Sequence, residues 1–459
     1  MKSNSFIRVV TAVFVLLCVL LQAGEAGAAT AGTIRAALVS GAETLSFKAS
    51  GNYEIVDLAT GKVLKNELKQ GETCQVVLKG GRIAVKVSRD NYGSFKGPVA
   101  VRESGSGSAV VLNGSGLVKD LSLEKIMAVS GDGKTVSLKS AIIPVIRTAS
   151  GTIQFKGSSG GLNLVSLSSS SGGKRYRGSM EFCLEEGNLT AVNVLNIEDY
   201  LRGVVPSEMP SSWSPEALKA QAVAARNYAL QCAETTRGAA SNVNSDISSQ
   251  VYGGYDAETV ATNKAVEETR GIVMLSGGRT VSAFFHSSSG GYTEDSEDVW
   301  SGKVSYIRSK EDPYDKNDKH YNWKVSYTAD QLKEKLAAAG YKFKRVTDFV
   351  VLERTSSGAR VKDLMVKGVG PDGKSLTVEI KNADKVRAAL GLKSALFKFT
   401  NKYDRSKNLT DINITGSGWG HGLGMSQYGA RGMALEGYDY QEILKYYYSG
   451  IKFADDYGR

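Results

Sequence analysis

Glu208 sits in a clamp of apolar and rigid neighbours, with Val204, Val205 and Pro206 before it and Met209 and Pro210 after it. Such company limits water, and lost hydration disfavours a charged carboxyl and raises its pKa. A side chain that must donate a proton needs that tuning. Read alone, one carboxylate ahead of a helix is equally well an ordinary approach-loop residue. Lys219 and Arg226, seven residues apart in the alanine-rich stretch that follows, share one helix face. Spacing alone fits a solvated face as well as a binding face.

Two further constellations contain chemistry. Residues 283–294 deliver His286 into a loop of Ser287, Ser288, Ser289, Gly290 and Gly291, with Tyr292 beyond. Hydroxyls there can hydrogen-bond a sugar, and Tyr292 offers it a flat face. Nucleophilic hydrolysis is the poorer reading, because adjacent His and Ser rarely form the base-to-nucleophile bond and no G-x-S-x-G elbow occurs. Farther on, Gly416, Gly418, Gly420, Gly422 and Gly424 alternate with other residues. In extended chain they would leave one side bare for another backbone or a ligand, with Trp419, His421 and Leu423 opposite. The expectation is a single cleft in which His421 lies beside the alanine-rich helix, the His286 loop and Glu208. This spacing fails G-x-G-x-x-G in every frame, so no dinucleotide cofactor is expected. The histidines are His286, His320 and His421, and none has metal-ligand spacing with another, so no metal is expected. A meeting of His286 and His421 with a carboxylate stays open.

The elements that must position these residues are mixed. Strands are predicted at Thr33–Val39, Tyr53–Leu58, Gln75–Lys79 and Arg82–Val87, then a Ser/Gly-rich seam over 157–173. A hairpin follows, Lys174–Phe182 with Leu189–Leu195 around Glu186-Gly187-Asn188. Ser214 and Pro215 open the alanine-rich helix. Further helices are predicted at Ala257–Thr269, Ala329–Ala339, Ala383–Leu390 and Tyr440–Ser449, with strands at Thr280–Phe285, Phe349–Arg354, Arg360–Val366 and Ser375–Ile380 between them. Without a regular βαβ rhythm, the fold class is α+β.

At 459 residues, 42% apolar and 23% charged, the chain is long enough for two or three cores and is not a disordered composition. Lys2 and Arg8 precede an apolar run from Val9 to Leu21 and then Ala26-Gly27-Ala28, the layout of a secretory signal peptide over 1–28. An uncleaved anchor is the alternative. Cys18 lies inside the apolar run, which argues against a lipoprotein cysteine. Cys74, Cys183 and Cys232 are too few and too dispersed for a disulfide framework. The net charge of +10 suits an anionic partner such as a cell-wall polymer or lipid surface. Nucleic acid is not expected, since the basic residues are scattered and the chain reads as exported.

The run from Asn196 to Arg226, Ser249-Gln250-Val251-Tyr252, His286–Trp300 and Gly418–Ala430 together resemble the stage II sporulation protein D / LytB family of bacterial cell-wall proteins. The resemblance runs from about residue 174 to 451. It implies a domain over 174–453, preceded by a β-rich accessory domain at 33–156 and the linker at 157–173. It also implies that Glu208 is the catalytic acid. Substrate contacts are implied for Lys219, Arg226, Gln250, Tyr252, His286, Ser287, Ser289, Tyr292, His421, Gln427 and Tyr428. The implied substrate is peptidoglycan glycan strands stripped of stem peptides, cut as by a lytic transglycosylase at the cell wall or the outer face of the cytoplasmic membrane. The family's other reading is a LytB-type protein that binds the wall and stimulates a partner amidase. Some relatives bind zinc through His and Cys near the equivalent of Val243–Tyr252. Asn244, Asp246, Ser248 and Ser249 stand there instead.

Overall fold

The computed structural model describes residues 32–104, 162–169, 172–300, 302–406 and 408–455, with six short strands between 108 and 154. The signal-peptide reading of 1–28 and part of the 157–173 seam lie outside the described residues. Two β-sheets share one core. The first has seven strands in the order Val243–Asn244, Thr33–Ala42, Asn188–Asn196, Ser179–Glu185, Val99–Glu103, Tyr53–Asp57 and Lys62–Lys65. The second has six, in the order Gly172–Tyr176, Leu164–Ser169, Thr44–Ser50, Cys74–Lys79, Arg82–Val87 and Asp90–Phe95. Along Thr44–Ser50 every second side chain (Leu45, Phe47, Ala49) is buried, the period of a half-buried strand. Phe47 stacks on Phe182 of the other sheet at 5.1 Å.

The predicted hairpin forms. Ser179–Glu185 pairs with Asn188–Asn196 across Glu186 and Gly187, both at positive φ, the geometry that matches strand twist in a two-residue turn. Thr33–Ala42 pairs antiparallel with the far edge of that hairpin, and Val99–Glu103 with its near edge. The expected boundary between an accessory domain and the rest is therefore corrected: both contribute strands to one sheet, and the expected linker contains the strand Leu164–Ser169, paired on both sides. Cys74, Cys183 and Cys232 are free thiols.

Helices α1 (Ile197–Glu208), α2 (Pro215–Thr235) and α3 (Val260–Glu268) pack on this core. Asn196 caps α1 by accepting from the Glu198 N–H, and Pro206 lies inside its last turn. Thr259 caps α3 through the Thr262 N–H. In α2, Ala217, Ala220, Ala222, Ala224, Ala225 and Ala229 are all buried, so their small side chains let neighbouring backbone approach.

A second core is built from two three-stranded sheets and two helices. One sheet joins Trp323–Thr328, Leu409–Gly416 and Phe397–Tyr403; the other joins Arg345–Arg354, Val361–Val369 and Ser375–Lys381. Helix α4 (Ala329–Ala338) starts with a Thr328/Gln331 capping box, and α5 (Ala383–Leu390) ends at Gly391 in left-handed conformation. Leu332, Leu336, Leu364, Val366, Ile380 and Ile414 fill the space between. The chain then returns to the first core through α6 (Gln427–Leu435) and α7 (Tyr440–Tyr447), the latter opened by an Asp439/Glu442 capping box. The class is α+β.

Candidate active site

Glu208 is the last residue of α1, at the negative end of the helix dipole, and is half-buried. Its Oε1 accepts the Val251 backbone N–H at 2.8 Å and its Oε2 accepts the Gln427 amide at 3.3 Å. Burial pushes the carboxyl above the ordinary value of 4.5, while the two donors, which favour the charged form, hold it back. Gln427 also reaches the buried Gln221 of α2 at 3.4 Å. The carboxyl is thus poised between helix α1, the 250–252 turn and the first residue of α6, with neutral polar partners only. Beside it, Trp213 meets Tyr428 edge-on at 4.9 Å, and the Arg431 guanidinium lies 5.5 Å from the Trp213 ring.

The alanine-rich helix presents a different face to this site from the one the spacing predicted. Arg226 is 1% exposed. It forms a two-pronged bond with Glu198 of α1, both contacts at 2.7 Å, and donates to the Ile272 carbonyl. Lys219 bridges Glu216 and Glu268, both at 2.9 Å, and so ties α2 to α3. Arg226 thus faces α1 and α3, and Lys219 faces α3. Gln250 and Tyr252 are corrected in the same sense. Gln250 is buried against Tyr200 and the Ala225 carbonyl, and the Tyr252 hydroxyl donates to Asn193 while its ring lies under Gly203.

The His286 loop is largely turned inward. Ser288 and Ser289 donate their hydroxyls, and Gly290 its N–H, to one oxygen of buried Asp315 at 2.8–2.9 Å. Buried Arg360 pairs with Glu294 at 2.9 Å and donates to the Ser289 and Tyr292 carbonyls, bracing the loop from below. Ser287 is half-buried, and its carbonyl accepts the Tyr428 N–H. Tyr292 is exposed and its hydroxyl faces Glu311. His286 is buried, with its Nδ1 bonded to the Leu423 carbonyl and its ring 5.4 Å from that of His421. Burial lowers both imidazoles, His421 to about 4, so both are neutral at neutral pH. Their ring neighbours are each other and Trp300 rather than a metal-binding carboxylate set; among the described residues no group of three metal-ligating side chains converges.

Gly416 ends the strand Leu409–Gly416, and the glycine block beyond it is not a strand. Gly418, Gly420, Gly422 and Gly424 all adopt positive φ, and the chain turns at each. A Cβ on Gly420 would stand 2.7 Å from the His286 Cβ, and one on Gly422 would stand 2.5 Å from the Arg360 Cζ. The block therefore packs against the His286 loop and Arg360, as half of the expectation had it, but not against the alanine-rich helix. His421 packs against His286 and Trp300, while Gln427 farther along the chain reaches Glu208. Sequence reasoning missed Gln221, Trp213, Arg431 and the Val251 N–H. Gln221 lies two residues from Lys219 on the opposite face of α2, and only the packing shows which face meets Glu208.

A profile of the stage II sporulation protein family matches residues 185–275, which contain Glu208, Gln221 and Val251, and a profile described as a domain of unknown function matches 297–424. The chain is 34% identical over 289 residues to the amidase enhancer of Bacillus subtilis (strain 168), an alignment covering 54% of this chain but only 39% of that protein. It is 32% identical over 282 residues to stage II sporulation protein D of the same strain, covering 58% of this chain and 76% of that protein. Stage II sporulation protein D of Bacillus amyloliquefaciens is 30% identical over 280 residues, with the same two coverages, 58% and 76%.

Proposed function

Because the chain belongs to the stage II sporulation protein D family, we propose that it is an exported protein of cell-wall remodelling that cuts peptidoglycan glycan strands as a lytic transglycosylase. The observation that carries this reading is the desolvated carboxyl of Glu208, held at a helix end by neutral donors. In its protonated form Glu208 gives its proton to the glycosidic oxygen as the bond to the muramic-acid carbon breaks. The resulting carboxylate then takes the proton of that sugar's own primary hydroxyl, whose oxygen closes on the same carbon to give an anhydro end. No water is consumed, and the second carboxylate of ordinary glycosidases is not needed. The Val251 N–H and the Gln427 amide orient the carboxyl and steady its charged form between the two steps. Tyr428, Ser287 and Tyr292 remain as candidate sugar contacts, since they are half-buried or exposed, whereas Gln427 is buried and serves the carboxyl.

A second reading is favoured by the similarity to an amidase enhancer. In it the chain binds the wall without cutting and raises the rate of a partner amidase. Incubation of the chain from residue 29 with strands freed of stem peptides separates the two. Transglycosylase action gives anhydro-terminated fragments by mass spectrometry that vanish with Glu208→Gln. An enhancer gives none, and the same substitution leaves amidase stimulation intact.

A further inference from the structure

A residue that first gives a proton and then takes one needs surroundings that suit both of its charge states. A charged carboxylate only accepts hydrogen bonds, whereas a protonated carboxyl also donates one. Of the two partners of Glu208, the Val251 N–H offers a donor only. Gln427 offers either kind of partner, because a side-chain amide carries N–H donors on one side and a carbonyl oxygen on the other, and half a turn about its last bond exchanges them.

The Gln427 amide nitrogen donates to Glu208 Oε2 at 3.3 Å and to Gln221 Oε1 at 3.4 Å, the arrangement that suits a charged carboxylate. Both contacts are longer than the usual value of about 2.9–3.0 Å, so neither alone fixes which way the amide faces. The backbone around Gln427 is fixed. Ser426 pairs with His286 and caps α6 through the Gly429 N–H, and the Tyr428 N–H donates to the Ser287 carbonyl. Freedom is confined to the amide.

Gln221 supplies the second observation. It is completely buried in α2, and its own Nε2 has no hydrogen-bond partner. A buried N–H without an acceptor is rarer in folded proteins than an under-satisfied carbonyl. Turning both amides over removes that orphan. Gln221 Nε2 then donates to Gln427 Oε1, and the same oxygen accepts the O–H of a protonated Glu208. What is left unpaired is a carbonyl oxygen, and no proton has travelled along the amides.

We propose that Gln221 is a positioning residue: through Gln427 it forms an amide relay whose two orientations match the charged and the protonated carboxyl of Glu208. This rests on the acid–base role proposed above and deepens it, since one side chain then steadies Glu208 in both halves of the reaction. The ionisable groups around the relay are few. Tyr200 of α1 and Tyr428 of α6 have phenols raised above 10, and Arg431 keeps its charge, so none of these titrates in acid. Lys219 and Glu216 of α2 are paired with each other. Asp318 acts on Tyr428, Asp312 beside Gly429 is pushed up to about 7, and His421 is lowered to about 4.

The test is a pH titration of the chain from residue 29, without glycan, followed by NMR of nitrogen-labelled glutamine amides and of the Glu208 carboxyl carbon. As Glu208 loses its proton, the Gln427 amide protons should move downfield, as bonded protons do, and those of Gln221 upfield, both with the midpoint of the Glu208 carbon. In Glu208→Gln both steps should vanish, which separates them from Asp312, Asp318 and His421. In Gln427→Met the Glu208 carbon should still titrate while the Gln221 amide no longer follows. Gln221→Met, similar in volume and unable to hydrogen-bond through an amide, should lower the Glu208 midpoint, because the orphan donor that disfavours the charged arrangement is gone. Gln221 protons that stay still or move with those of Gln427, steps that persist in Glu208→Gln, or a midpoint unchanged or raised in Gln221→Met overturn the proposal. If Gln221→Met does not fold, the amide signals of the unsubstituted protein still decide. Because no cleavage is read, failure of the transglycosylase reading shows separately, as absence of anhydro ends from the unsubstituted protein.

Discussion

At Glu208, burial raises the pKa and two hydrogen-bond donors oppose it, and the net direction is upward from 4.5. Two consequences have fixed signs. A general acid must be protonated to act, so kcat/KM should fall as pH rises through the raised pKa, and a profile flat across the acidic limb above 4.5 would contradict the assignment. Folding also favours the protonated form. The stability this group contributes is present below the ordinary carboxyl value and is lost as pH climbs through the folded value. Glu208→Gln does not ionise, so its melting temperature should move upward relative to the unsubstituted protein over that same window. Arg226 gives the opposite kind of prediction. Removing one member of a buried pair leaves the other uncompensated, so Arg226→Ala should lose about 3–5 kcal/mol, checked by denaturant unfolding. Lys219→Ala removes half-exposed bridges and should lose no more than about 1 kcal/mol. The apolar clamp of Glu208 was legible because it is made by sequence neighbours. The role of Arg226 was not, because its partner Glu198 lies on another helix.

Among elements, those with terminal signals were read well. Asp439 and Glu442 open α7 and Gly391 closes α5, within a residue or two of expectation. Helix α1 was missed because Pro206 lies inside it, where proline ordinarily ends a helix. The glycine block was misread for a different reason. Alternation at every second residue is the strand period, but glycine also allows the positive φ that these positions adopt. Space there is set by neighbours. Gly422→Ala would place a methyl group against the Arg360 guanidinium while φ stays at 85°, and should cost about 1–3 kcal/mol or more in thermal unfolding. An unchanged melting temperature would mean that Arg360 moves aside. Gly437, with nothing near its Cβ position, is the control for φ alone.

Across the whole molecule, the Ser/Gly-rich seam reads as a linker by composition, yet strand partners are chosen over long sequence distances. Thr33–Ala42 covers one edge of the hairpin that leads into α1, and Val99–Glu103 covers the other. A chain beginning at residue 174 should therefore lack a cooperative melting transition by circular dichroism, whereas one beginning at residue 29 should keep it. A sharp transition in the shorter chain would restore the separate-domain reading. The α+β class survives from the sequence because it rests on local pattern; the side chains that meet Glu208 depend on packing. The central claim is that one carboxyl cuts a glycan strand without using water, and digestion in heavy-oxygen water tests it most directly. The account predicts new anhydro ends that carry no heavy oxygen in the unsubstituted protein, and no new ends with Glu208→Gln. Heavy oxygen at the new reducing ends would make the protein a hydrolase, and absence of new ends with a partner amidase stimulated would make it an enhancer; either result contradicts the claim.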